Sequence, residues 1–400
     1  MAERKLREAV IVEAQRLPIG RGKPIVGWLS GFHAIPLLSL AWNATLKKAG
    51  VDRSEVEMVI GGTVTQAGEQ AGNNARHAWL HGGDNYQVGG ITVDCQCGSA
   101  MHGLTMLNGL IENGTYNCGL AGGLEHMSHV GLGQNVYNGP GFYLPPDFPY
   151  DCTPDQFASV VRICKKRGIT RQMVDEFAVN SQKKAIAASE AGHFKREITP
   201  VEAPILGEDG KPTGQTRIVD KDQGIRESTM EGMAKLKIAG DHPEGIHHAG
   251  NSSQISDGAN SVLLMTRQKA KDLGLTPRAR IVMGDLTGAD PYYLLEGPID
   301  STQNILRKTG MKMSDFDVFE CNEAFAGVVL AWCQEMGIDP KDPRLNPNGG
   351  AIALGHPVGS TGTRLVITAL HELERTGKNM ALCTMCCGSA VGTSIIIERI

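Results

Sequence analysis

A stretch near residue 50 returns near residue 310, and this repeat constrains the fold more than any other feature of the chain. Leu46–Ile60 (LKKAGVDRSEVEMVI) aligns with Leu306–Glu320 (LRKTGMKMSDFDVFE) at a constant offset of 260 (306 minus 46), with Gly50 on Gly310 and Ser54 on Ser314. Each copy reads as a helix end with a glycine C-cap, a short turn carrying a Ser-Asp/Glu cap signal, and a buried strand. Carried forward, the offset sets CQCGSAMHG around residue 97 opposite GHPVGSTG at 355–362, within one residue. The chain is therefore expected to fold as two homologous halves whose equivalent strand-to-helix turns carry Cys97 and His356.

Apolar runs such as Ala9–Val12, Val56–Ile60, Arg280–Met283 and Phe316–Phe319 alternate with helical patterns over His33–Lys48 and Glu323–Met336. That alternation predicts α/β layers with buried strands. Between the halves lies a different segment, irregular at first (GQNVYNGPGFYLPPDFPYDCTPDQ). It becomes helical over Arg171–Ala191, where Thr170 can cap the helix, and then rich in Pro and Gly over Glu202–Gly214. Residues 151–240 hold 15 Lys/Arg against 13 Asp/Glu in a chain of net charge -4. A mildly basic insertion in an acidic protein suits a lid that meets an anionic ligand, and equally an ordinary solvated face. The division expected is an N-terminal half over 1–125 and 255–277, an inserted loop domain over 126–254, and a C-terminal half over 278–400.

The same charge leaves no nucleic-acid footprint. MAERKLREAVIVEA has no apolar core of signal-peptide type, the terminal Glu-Arg-Ile is no targeting tripeptide, and the longest uncharged helical candidate is too short for a membrane span. Ten cysteines without a secretory signal suggest a reducing cytosol and free thiols. A cytoplasmic protein without membrane insertion is expected.

Four polar stretches fall at the ends of expected strands or the starts of helices: CQCGSA near 97, CNEAFA at 321–326, GGAIALGHP at 349–357 and MCCG at 385–388. The carboxyl ends of strands are where open α/β sheets bind ligands. A cysteine at a helix N-terminus feels the positive end of the dipole, which lowers its pKa, and Cys97 before Gly98-Ser99 is placed for that. His356, between Gly355 and Pro357 among glycines 349, 350, 359 and 362, suits a base oriented toward a neighbouring thiol. The loop lacks the Gly-Lys-Ser/Thr ending of a phosphate cradle. Each residue alone would favour a structural reading; the pairing of the two turns shifts the balance.

TVDCQCGSA, AGGLEHMS, GITRQMVDEFAVNSQKKA, EITPVEAP, AGNSSQISDGA, CNEAFA, NPNGGAIALGHPVGSTG and TMCCG, in this order, resemble the thiolase family over essentially all 400 residues. They look most like the degradative acyl-CoA thiolases of actinobacteria that shorten steroid side chains. The resemblance implies a five-layered αβαβα fold with an inserted loop domain. It implies Cys97 as the nucleophile that accepts the acyl group, and His356 as its activator. His356 and a water held by Asn322 would form one oxyanion hole, and the backbone N–H groups of Cys97 and Gly388 the other. Cys386 would be the second catalytic cysteine. Arg226, Ser253, Ala324 and Phe325 match positions that line the CoA channel. CoA is then a co-substrate, with no covalently bound cofactor and no metal, and a homodimer or homotetramer is expected.

The implied reaction is cleavage of a 3-ketoacyl-CoA, bulky and of the steroid side-chain class, to acetyl-CoA and a shortened acyl-CoA. A thiolate suits it because the thioester it forms can be exchanged by another thiol, and a second thiol can serve as acid and then base. The pattern departs from the family at Asp94, Cys95 and Ala100 beside the nucleophile. It departs again at Ser389 and Ala390, bulkier than the usual glycines after the second cysteine, and at Phe148–Asp151, where many short-chain members carry His-Met-Gly. A biosynthetic acetoacetyl-CoA thiolase, and a non-catalytic metal or redox protein using Cys95, Cys97, Cys383, Cys386 and Cys387, stand as alternatives.

Overall fold

A computed structural model describes residues 6–141, 143–152, 155–240 and 242–400, so the first five residues of the expected N-terminal half lie outside it. The first half runs β1 (Ala9–Arg16), a short β2 (Gly20–Arg21), α1 (Ala34–Ala49), β3 (Met58–Gly62), α2 (Asn74–His81), β4 (Gly89–Val93), α3 (Ser99–Glu112) and β5 (Cys118–His126). A middle segment follows, with α4 (Gln134–Tyr137), α5 (Gln156–Arg167), α6 (Arg171–Glu190), the hairpin β6 (Val201–Leu206) and β7 (Pro212–Val219), and α7 (Met230–Ala234). Then β8 (Ser256–Thr266) returns to pair antiparallel with β1 and β5, and α8 (Arg267–Asp272) leads on. The second half is β9 (Ala279–Gly288), α9 (Gly297–Thr309), β10 (Val318–Cys321), α10 (Ala326–Met336), α11 (Ala351–Leu354), α12 (Thr361–Thr376), β11 (Met380–Cys387) and β12 (Val391–Arg399).

The main sheet has the order β10-β11-β12-β9-β1-β8-β5-β3-β4, with β2 on β8. Its two halves carry the same pairing rule. β3 runs parallel to β5, which is antiparallel to β8, which is antiparallel to β1. β10, β11, β12 and β9 repeat that sequence. A single residue pair, Ile11 with Ala279, joins the two. The repeat predicted from sequence is reproduced residue for residue at its core. The helix C-caps Gly50 and Gly310 take φ 69° and 71°, a left-handed conformation that costs glycine nothing. The short 3-10 turns Arg53–Glu55 and Met313–Asp315, and strands β3 and β10, begin 260 residues apart.

Strand alternation divides the core into layers. On one face, Val10, Val59, Leu120 and Leu263 pack with Trp42 of α1 and Trp79 of α2. On the other, Ile11, Ile60, Ala121 and Leu264 meet Leu104 of α3 and Leu365 of α12. The same middle layer takes Ile281, Ala381 and Ile395 from the second half, whose outer face buries Phe319, Leu382 and Ile396 against α9 and α10. The stack is helix, sheet, helix, sheet, helix, and α3 and α12 start in its middle layer.

One expected helix begins late. The pattern over Glu323–Met336 becomes helical only at Ala326, because Ser253 N–H donates to the Ala324 carbonyl and Ala326 N–H to Asn251, pinning Phe325 in extended form against Ser252. That exit carries Asn322 toward the middle layer.

Candidate active site

The turn before α3 is built by local polar contacts. Gln96 N–H donates to Asp94 Oδ1 at 2.7 Å, Cys95 N–H to Ser99 Oγ at 3.0 Å, and Gln96 sits at φ 58°. The left-handed Gln96 reverses the chain so that Cys97 lies immediately before the first turn of α3, buried at 6% exposure. Here the structure corrects the expectation from the helix dipole: burial pushes the Cys97 thiol up to about 12. The Gly388 and Cys97 backbone N–H groups that meet the sulfur offset only part of the loss of water. Cys97 rests as a thiol, and its proton has to leave during reaction.

His356 is positioned by backbone that only glycine allows. Gly355 has φ 114°, and a Cβ there would lie 2.4 Å from Ser256 Oγ. His356 N–H is then shared by the Gln254 carbonyl and Ser256 Oγ, each at 3.1 Å. Burial, reinforced by the Arg364 charge, lowers the ring to about 3, so it is neutral. Its tautomer follows from Thr361. That hydroxyl gives its one proton to the Pro357 carbonyl at 3.0 Å, so at 2.7 Å from His356 Nδ1 it accepts. Nδ1 therefore carries the hydrogen, and Nε2 presents a lone pair with Asn322 Nδ2 3.4 Å away. Asn322 is fully buried, held by its N–H on the Thr384 carbonyl, and its Oδ1 has no partner among the described residues.

Cys386 and Cys387 end β11 on opposite faces. Cys387 belongs to the middle layer with Cys97; a Cβ on Gly98 would come 2.7 Å from its sulfur. Cys386 packs on the other face with Leu294, Ala324, Phe325 and Ala390. Those four residues also line a cavity of about 940 Å³ together with Cys97, His356, Gly388 and Ser389. Cys386 itself is not among the lining residues; it lies behind them, close enough to sense Cys97, whereas Cys387 supports the nucleophile turn from beneath. Burial raises both thiols, and each senses Cys97. Cys383, three residues earlier, points into the middle layer and away from Cys386, so Cys383 and Cys386 do not form a chelating pair. Ser389 and Ala390, where glycines were expected, adopt φ 62° and 54°. The loop keeps a left-handed path that costs a non-glycine residue about 1–3 kcal/mol at each position.

Of the residues expected on the CoA channel, Ser253, Ala324 and Phe325 line the cavity, but Arg226 is not among its lining. The Arg226 guanidinium reaches the Gly224 carbonyl at 3.3 Å, and burial together with nearby Arg21 disfavours its charge.

Two residues escaped sequence reasoning. Thr361 fixes the histidine, and its signal was only a Thr at the start of a helix. Glu125 is wholly buried, accepting N–H bonds from Val64, Thr65 and Gly359, each at 3.0 Å. It ties the His356 turn to the first half, and burial pushes its carboxyl up. A Glu ending the apolar run AGGLE was the available hint.

The model of the thiolase N-terminal domain matches residues 9–268, and that of the thiolase C-terminal domain residues 275–399. A steroid 3-ketoacyl-CoA thiolase of Mycobacterium tuberculosis is 40% identical, covering 99% of this chain and 95% of that protein. A 3-ketoacyl-CoA thiolase of Cronobacter sakazakii is 37% identical, covering 99% and 100%. The crystal structure of the Bacillus anthracis acetyl-CoA acetyltransferase matches with a TM-score of 0.87 at 31% identity, over the whole of both chains.

Proposed function

Because the chain belongs to the thiolase family of acyltransferases, we propose that it is a 3-ketoacyl-CoA thiolase working through an acyl-Cys97 thioester. The observation that carries the residue assignment is the convergence of Cys97, Gly388 and His356 on one cavity from three separate turns. As the Cys97 sulfur attacks C3 of the substrate, its proton passes to His356 Nε2. The resulting alkoxide takes the Cys97 and Gly388 N–H groups, which already meet the sulfur. Each such donor is worth about 3 kcal/mol in a dry site. The C2–C3 bond then breaks and its electrons move to the acetyl-CoA enolate. The new Nε2–H of His356, with a water held by Asn322, stabilises the enolate oxygen. Cys386 protonates C2, and acetyl-CoA leaves. The Cys386 thiolate next takes the proton of incoming CoA, whose sulfur displaces Cys97 from the acyl group. Cys97 recovers its proton from His356, which returns the enzyme to its starting state.

Ser253, Ala324 and Phe325 form the CoA side of this proposal, with Arg226 outside the cavity lining, CoA as co-substrate and no covalently held cofactor. Leu132, Val136, Leu144, Phe148 and Phe157 give the cavity a broad apolar wall. That wall, and likeness to the steroid enzyme of M. tuberculosis, support a bulky acyl group of the steroid side-chain class. The likeness to the B. anthracis acetyltransferase supports the second reading, an acetoacetyl-CoA thiolase. Halves over 1–125 with 255–277 and over 278–400, with 126–254 as a lid, complete the proposal, supported by β8 rejoining the first half after the insertion. No described helix is long and apolar enough to cross a membrane; a cytoplasmic homodimer or homotetramer is part of the same reading.

The test is CoA-dependent cleavage of a steroid side-chain 3-ketoacyl-CoA beside acetoacetyl-CoA, with wild type and Cys97→Ala. Turnover is expected to vanish in the variant. Unchanged turnover would remove the mechanism, and a strong preference for acetoacetyl-CoA would remove the substrate class.

A further inference from the structure

The cysteines around the catalytic turn do not gather as metal ligands, but three other side chains do. One ligand atom each from Glu69, His126 and His129 lies within 4.8 Å of the others. Glu69 sits in the 3-10 turn Gly68–Gln70, His126 is the last residue of β5, and His129 follows one turn later.

The hydrogen bonds of the two histidines define which nitrogens remain. His126 Nε2 lies 3.2 Å from the Leu29 carbonyl, and His129 Nε2 lies 2.8 Å from the carbonyl of Ser30. A carbonyl only accepts, so both rings carry hydrogen on Nε2, and in the neutral ring Nδ1 is then a bare lone pair. His126 is fully buried, and its Nδ1 has no partner among the described residues. His129 Nδ1 faces a carboxylate oxygen, Glu69 Oε1, at 3.1 Å. Contact at that distance requires a positive charge between the two atoms, supplied either by a proton on Nδ1 or by a metal ion. Imidazoles that donate one N–H to a backbone carbonyl and turn the other nitrogen inward have the outer-shell arrangement of metal-ligating histidines.

We propose that Glu69, His126 and His129 form a binding site for a divalent transition metal of the zinc class. Two imidazoles and one carboxylate fit that choice by donor type, and a tetrahedral ion leaves its fourth position to solvent. Solvent has access, since the Glu69 and His129 side chains are about one-third exposed. Ligand atoms about 2.0–2.2 Å from one tetrahedral ion stand roughly 3.5 Å apart, so closure from 4.8 Å needs at most about 1.5 Å of movement. The other Glu69 oxygen already takes Ala34 N–H at 3.0 Å and lies 3.9 Å from His33 Nδ1. Asp257 Oδ2 stands 3.8 Å behind His126, at Nε2. The site is structural rather than chemical. Met127, between the two histidines, and Leu132, just beyond them, line the catalytic cavity, so the ion would clamp that wall to the turn at Glu69.

The test uses chelator-treated full-length protein titrated with Zn²⁺ and Co²⁺, with metal content and absorption spectra measured. One equivalent is expected to bind, and Co²⁺ should give visible d–d bands without a thiolate charge-transfer band. Glu69→Gln and His129→Ala should each weaken binding by roughly ten- to a hundredfold or more, while remaining folded and active with acyl-CoA. No binding at millimolar Zn²⁺ would overturn the proposal and leave His129 and Glu69 as a hydrogen-bonded pair. Binding unchanged in both variants, or a thiolate band, would overturn it in favour of the cysteines.

Discussion

Replacing Thr361 with Val removes one hydroxyl and nothing else of comparable size, and it tests whether His356 works as a base with a fixed tautomer. In the wild type the Nδ1–H donates to Thr361 Oγ1 at 2.7 Å, with both residues buried. A valine methyl accepts nothing, and leaving a buried donor unmade costs about 1–3 kcal/mol. The alternative tautomer avoids that cost, but its Nε2–H meets the Asn322 amide across 3.4 Å and has no lone pair for the Cys97 proton. The penalty therefore falls on the reactive form. At 1.36 kcal/mol per decade it lowers kcat/KM for the 3-ketoacyl-CoA about 5- to 150-fold. Steady-state cleavage should show the loss in kcat with little change in KM for CoA, and alkylation of Cys97 by iodoacetamide should slow in parallel. Thr361→Ser keeps an acceptor and should retain most activity. A folded Thr361→Val enzyme with kcat/KM within about twofold of wild type would refute the tautomer argument, as would an equal loss in the serine variant.

Two further outcomes follow from the same site. His356 is depressed from 6.5 to about 3 and Cys97 is raised from 9.0 to about 12, so the neutral base and neutral thiol coexist at every pH between. First-step kcat/KM should therefore be level from about pH 6 to about pH 8, and an acid limb centred at the ordinary histidine value of 6.5 would contradict it. Gly98→Ala would place a Cβ 2.7 Å from Cys387 Sγ and 2.8 Å from Thr393 Cγ2, in a core with no room to give. Overpacking of this kind costs about 1–3 kcal/mol, seen as a lower urea midpoint together with lost activity. Gly388→Ala meets only the end of the Gln96 side chain, at 2.9 Å, and should be milder in stability; equal destabilisation by both would refute the rigid packing of Gly98 on Cys387.

The repeat at 46–60 and 306–320, the αL glycines 50 and 310 and the alternating strands were legible because they are local. Periodicity and backbone sterics act between residues close in sequence, and the same local code written twice yields the same half-fold twice. The pairing of the Cys97 and His356 turns came from that repeat, and the motif resemblance named the chemistry. Tertiary structure decided the rest. Loss of water at Cys97 outweighs the helix-terminus effect that the sequence suggested, because desolvation depends on every layer packed around the sulfur. The faces of Cys386 and Cys387 differ because β11 ends between two cores. Thr361 selects the histidine nitrogen from five residues away, whereas Glu125 braces the turn through a bond to Gly359 whose partners lie 234 residues apart and meet only in the folded chain. Glu69 meets His126 and His129 in the same way, across some 60 residues of chain. A sequence shows which groups a chain possesses and how its local segments turn; which of them lose water together, and which lone pairs face one another, is set by packing between segments far apart in the chain.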